Sequence, residues 1–110
     1  MITVLFDGEL VSINQRYVSR KFVLSNEYRA CKEHLTLAYR LAFKGKLITD
    51  PVAVIIKWDK GRKDLDSCVK VILDAMQGEI IKNDSQVKQL LIEDCPGQKT
   101  TIKICLYPNF

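Results

Sequence analysis

Histidine is almost missing from this chain: His34 is the only one in 110 residues. A serine or cysteine nucleophile needs a nearby base, most often histidine. His34 falls in a stretch that reads as a surface helix, so nucleophilic catalysis of that kind is not expected. Zinc chemistry is equally short of ligands. The four cysteines, Cys31, Cys68, Cys95 and Cys105, have no CxxC spacing and no histidine pair to join them. Zinc ligands normally come in close pairs. Glycine is sparse, with five residues, and none of them builds a GxGxxG or a GK[ST]. No loop for a nucleotide cofactor is therefore expected. No apolar run approaches the roughly 18–20 residues that span a bilayer, so no membrane partner is expected either.

The opening residues, MITVLFDGEL, lack a basic flank and turn acidic at Asp7 and Glu9. They read as a first strand rather than a signal peptide. The cysteines are accordingly expected to be reduced, Cys31 and Cys105 acting as small buried hydrophobes, and the chain to be cytoplasmic. A length of 110 residues, 47 % of them hydrophobic, predicts a single domain over 1–110 with one core.

Charge is unevenly spread. The total is 17 basic and 13 acidic residues, a net +4. Residues 15–46 hold eight cations (Arg16, Arg20, Lys21, Arg29, Lys32, Arg40, Lys44, Lys46) against Glu27 and Glu33. A basic half is either a solvated surface or a grip on a polyanion.

The hydrophobic pattern gives the order of elements. Residues 1–11 read as a strand, with a bend at Gly8, and 12–24 as an extended loop. Ser25 is a candidate N-cap. Tyr28, Cys31, Leu35, Ala38 and Ala42 recur at helical spacing, and Leu41 widens the stripe, which predicts a helix over about 26–44. Pro51 opens PVAVIIKW, a β-branched run that reads as a central strand. A second helix is predicted over about 65–77, with Leu65, Val69, Ile72, Leu73 and Met76 on one face and Gly78 after it. QVKQLLIEDC and TTIKICLYP read as two strands joined by PGQK into a hairpin. The fold class is α/β (α+β): a mixed sheet with two helices, in the order β-α-β-α-β-β.

The segment GRKDLDSCVKVILDAMQG, 61–78, carries the chemistry. Asp64 and Asp66 stand two residues apart before the apolar stripe of the second helix. Lys70 follows one turn later, Arg62 and Lys63 precede, and Asp84 lies in the loop beyond. Asp66, Lys70 and Asp74 share a row away from the apolar face. One reading is structural: Asp64 caps the helix, Asp66 complements its dipole, and Asp66 and Lys70 form an i, i+4 ion pair. The other is a metal site. Magnesium takes oxygen ligands and commonly one to three carboxylates, and paired ions stabilise both the attacking and leaving oxygens of a phosphodiester. Asp64, Asp66 and Asp84 are enough to seat them, with Lys70 offsetting charge or donating to the scissile phosphate. The interleaved Arg16, Tyr17, Arg20 and Phe22 either grip a nucleic-acid backbone or are core aromatics flanked by surface charge.

RKDLDSCVKVILDAM followed by NDSQV resembles the RusA-type Holliday junction resolvases, small metal-dependent endonucleases of bacteria and their phages. That family shows a basic residue, DxD, a lysine four residues after the second Asp, an Asp four further on, and a late Asp before a QV-like strand start. SINQRY (12–17) is similar to the family's Ser/Asn/Tyr segment and LSNEYRACKEHL (24–35) to the start of its first helix. Ser67 replaces a frequent Asn, and Asn83-Asp84 replaces a frequent acidic doublet. The resemblance implies a RusA-like fold and an endodeoxyribonuclease that resolves four-way junctions by paired nicks in recombination and repair. It also implies a homodimer, with Mg²⁺ (or Mn²⁺ in its place) held by Asp64, Asp66 and Asp84 and the transition state supported by Lys70. Asn14, Tyr17 and Asp74 take supporting roles, and Arg16, Arg20, Lys21, Arg62 and Lys63 contact the DNA backbone. The alternative is a non-catalytic DNA-binding protein that retains the fold.

Overall fold

The computed structural model describes residues 1–11 and 26–108. Its elements, in chain order, are β1 (Ile2–Phe6), α1 (Asn26–Ala42), β2 (Val52–Trp58), α2 (Val69–Met76), a short 3-10 turn (Asp84–Gln86), β3 (Val87–Asp94) and β4 (Thr100–Leu106). This is the order expected. The cap at Ser25 and the loop over 12–24 lie outside the described residues.

The sheet order is β1-β4-β2-β3. β2 is central, as its apolar run predicted, and its burial is nearly continuous. It pairs parallel with β3 and antiparallel with β4, while β4 pairs antiparallel with β1. The hairpin expectation is therefore corrected. β3 and β4 follow one another in sequence but lie on opposite sides of β2, and PGQK carries the chain around the end of that strand. A parallel β2–β3 pair needs a crossover between them, and α2 supplies it.

Side-chain alternation selects one face of the sheet for the core. Val4 and Phe6, Val54 and Ile56, and Ile102 and Ile104 are all at most 2 % exposed and share one cluster with the buried residues of both helices. α1 contributes Tyr28, Cys31, Leu35 and Tyr39. The stripe thus turns toward Tyr39 where Ala38 and Ala42 were expected, and Leu41 is 79 % exposed instead of widening it. α1 also ends at Ala42, two residues early. α2 buries Val71, Ile72, Ala75 and Met76. The Tyr39 hydroxyl donates to the Ile72 carbonyl at 2.9 Å and locks the two helices together. Cys31, Cys68 and Cys105 are buried free thiols. None of the described helices is long and apolar enough to cross a membrane.

Candidate active site

α2 begins at Val69, not near 65. The four residues before it form turns of the tighter, i to i+3 kind: Ser67 N–H donates to the Asp64 carbonyl and Val69 N–H to the Asp66 carbonyl, each at 3.1 Å. The Ser67 hydroxyl also donates to the Asp64 carbonyl at 2.8 Å. These bonds consume the backbone oxygens of the two aspartates and leave their carboxylates unused. The N-cap position falls on Cys68, which makes no side-chain capping bond, and no acidic residue lies in the first turn of α2. Asp64 and Asp66 are thus not helix caps. Leu65, expected on the buried face, is 38 % exposed because it precedes the helix. Its carbonyl still accepts from the Trp58 indole at 3.1 Å, tying the turn to the end of β2.

Asp84 reaches the same place from a separate segment. After α2 the chain is pinned by Gln86, whose amide donates to the carbonyls of Ile48 (2.8 Å) and Asp50 (3.0 Å). The Gln86 side-chain oxygen accepts from the backbone of Lys82 and Asn83. Asn83 in turn caps the 3-10 turn, accepting from Ser85 N–H at 2.9 Å. Asn83 and Gln86 therefore form a reciprocal capping box. Its effect is to fix Asp84 in the first turn through its backbone: the N–H donates to the Gln77 side-chain oxygen at 3.3 Å and the carbonyl accepts from Val87 N–H. Asn83 looked like a departure from an acidic doublet; it is the residue that builds the turn.

Asp64, Asp66, Lys70 and Asp84 line one pocket, together with Ser67, Val69 and Leu73. The carboxylates of Asp64, Asp66 and Asp84 make no hydrogen bond or ion pair with any described residue. They line the pocket without converging: among the described residues no three His, Cys, Asp or Glu side chains form a ready metal cluster. Mutual repulsion of like charges favours such a spread. Lys70 pairs with Asp74 at 3.0 Å, not with Asp66. Asp74 is also the acceptor for the Tyr28 hydroxyl. Cys68 sits behind the pocket with its thiol pushed up to about 12, chiefly by burial and further by the charge of Asp66. It stays protonated, which removes it as a nucleophile.

Lys63 and Arg62 behave differently from one another. The Lys63 ammonium bonds the Leu10 carbonyl and pairs with Glu9 at 3.3 Å, which fastens the loop to the segment after β1. Arg62 is exposed at the rim of an adjoining groove that Lys60 and Lys99 share. Asn14, Arg16, Tyr17, Arg20 and Lys21 lie outside the described residues. His34 is a surface residue, stacked edge-on against Phe6 and 3.8 Å from Asp7.

The family model of endodeoxyribonuclease RusA matches residues 7–107, nearly the whole chain. The chain belongs to the RusA family. No individual curated protein matches it. Membership makes it an endodeoxyribonuclease, an enzyme that hydrolyses DNA, in a family that resolves Holliday junctions and depends in general on divalent metal. The RusA match also spans both segments of the pocket, the DxD turn and the Asn83–Gln86 box.

Proposed function

We propose that this RusA-family chain is a magnesium-dependent, structure-selective endonuclease. It acts as a homodimer and resolves four-way junctions by paired nicks during recombination and repair in a bacterial or phage-infected cytoplasm. One observation carries the reading: three carboxylates from two segments border one pocket with a lysine, and none of the three bonds to another described residue. Three like charges that border one pocket repel one another, and a bound cation removes that repulsion.

The donor set fits the ion. Carboxylate oxygens on exposed turns suit magnesium, which keeps several waters and is satisfied by few protein ligands. When bound, magnesium lowers the pKa of coordinated water and neutralises charge on the phosphate. Asp64, Asp66 and Asp84 would hold it, any two of them sufficing as protein ligands to an ion that keeps its waters. Lys70 supplies a positive charge at the rim and a proton donor to a phosphate oxygen as charge builds there. Asp74 keeps that ammonium aimed. Ser67 and the Asp64 carbonyl hold the DxD turn closed, so that both carboxylates stand on one side of it. Arg62 contributes to backbone contact, as do Arg16, Arg20 and Lys21, with Asn14 and Tyr17 in support. Lys63 combines such a contact with its tie to the segment after β1. A four-way junction has approximate two-fold symmetry, and a two-fold dimer presents one pocket to each strand to be cut.

The test is cleavage of a labelled four-way junction by the pure protein with and without Mg²⁺, beside a linear duplex and the variant Asp66→Asn. The parent should nick the junction in paired positions only when the ion is present. Asp66→Asn should bind the junction with parental affinity and leave it intact. A variant that cuts as the parent does removes Asp66 from the site.

A further inference from the structure

The ion pair on α2 runs against its helix. Lys70 is the second residue of α2, where the dipole presents positive charge, and Asp74 lies one turn nearer the negative end. The dipole and the measured preference for i, i+4 pairs both favour the reverse order. Helix stability is therefore a poor reason for this pair. Nor is it a loose surface contact. Asp74 is only 13 % exposed and divides its oxygens: Oδ1 faces Lys70 Nζ at 3.0 Å, and Oδ2 accepts from the hydroxyl of Tyr28. Tyr28 is 1 % exposed and reaches Asp74 from α1, 46 positions away in sequence.

We infer that Tyr28 is a positioning residue for Lys70, acting through Asp74 across the contact between the two helices. The inference rests on the reading that Lys70 serves the cleavage reaction. A lysine side chain has four rotatable bonds and loses considerable rotamer freedom when held. A lone carboxylate one turn away turns with its own side chain and holds it poorly. The Tyr28 hydroxyl donates to the ionised carboxylate, a bond stronger than a neutral one, and fixes the plane of Asp74. Oδ1 then stays turned to Lys70, and the ammonium stays beside the pocket of Asp64, Asp66 and Asp84. Because α1 is anchored separately by the Tyr39–Ile72 bond, the position of Tyr28 does not depend on this contact.

Tyr28→Phe keeps the ring in the core and deletes the hydroxyl. It should slow single-turnover junction cleavage in Mg²⁺ by about 3- to 10-fold, the worth of one well-placed hydrogen bond. Junction affinity measured in Ca²⁺ should stay within about two-fold, since no contact to DNA is removed. The decisive comparison is the same substitution in a Lys70→Ala background. If Tyr28 acts through Lys70, its effect should vanish there, because coupled residues are not additive. A Tyr28→Phe enzyme that cuts at the parental rate overturns the inference. So does an equal slowing with and without Lys70, which marks a merely structural effect. Asp74→Asn reads the same relay from its other end and carries the test if Tyr28→Phe folds poorly. Lys70→Ala cutting like the parent would instead sink the role of Lys70 itself, and the inference with it.

Discussion

Two neighbouring turns use aspartate in opposite ways. At the end of β2, Asp59 accepts from Gly61 N–H at 3.1 Å with one oxygen and from Gly97 N–H at 3.0 Å with the other. Asp94 accepts from Lys60 N–H at 3.2 Å. Both carboxylates are spent on holding the loop after β2 against the turn that leads into β4. A few residues further on, Asp64 and Asp66 give only their backbone carbonyls to the fold. Asp84 likewise engages the described residues through its backbone N–H and carbonyl. The residue type is the same, and what separates the two groups is where their hydrogen-bonding capacity goes. Carboxylates that answer backbone amides are part of the structure. Those left unanswered beside like charges are where a ligand has to be sought.

The largest effect expected from this contrast is on chemistry. Asp64→Asn or Asp84→Asn should lower single-turnover junction cleavage at least about 100-fold, roughly 2.7 kcal/mol of transition-state stabilisation. The thermal midpoint without metal should stay level or rise slightly, because neither carboxylate holds the fold and one of several repelling charges is gone. A midpoint that falls by several degrees would place these aspartates with Asp59, among the structural ones.

Asp59→Ala should do the converse. It strands two backbone donors, and since both lie near solvent the cost falls at the lower end, about 1–2 kcal/mol. For a chain of this size that is a drop of roughly 4–8 °C per kcal/mol in the midpoint, read by circular dichroism. Cleavage well below the midpoint should hold within about three-fold. This margin reflects how little a loop tie contributes to transition-state binding. A hundredfold loss with an unchanged midpoint would move Asp59 into the site.

Much of this contrast was not visible in the sequence. DLD and the later Asp stood out because they sit among basic residues around an apolar helix, and that pattern located the pocket. The same pattern left a helix cap open as the other reading of Asp64. Apolar periodicity marks which residues face a core, but not where i to i+3 bonds give way to i to i+4, and here the change comes at Val69. The central position of β2 followed from its unbroken apolar run. Its two neighbours did not, because strands adjacent in sequence usually pair and here β2 lies between them. Tyr28 and Asp74 are too far apart in sequence for any local pattern to join them. Asn83 and Gln86 fit the N-cap and N3 positions of a capping box, a spacing that could have been read.

The smallest effect sharpens the comparison at Gly61, which ends the Asp59 turn at φ +56°, the centre of the left-handed region. A Cβ built there meets no heavy atom within 4 Å, so only backbone preference opposes a side chain. Alanine should cost about 1 kcal/mol, and asparagine, which visits this region far more readily, only a few tenths. Gly61→Asn should therefore be nearly silent in both midpoint and cleavage. If it melted like the parent but bound the junction several-fold more weakly in Ca²⁺, the open space above Gly61 would be space that DNA occupies. The turn tied down by Asp59 would then border the substrate as closely as the turn that bears Asp64 and Asp66, and the division between a structural loop and a working one would hold for their carboxylates but not for their surfaces.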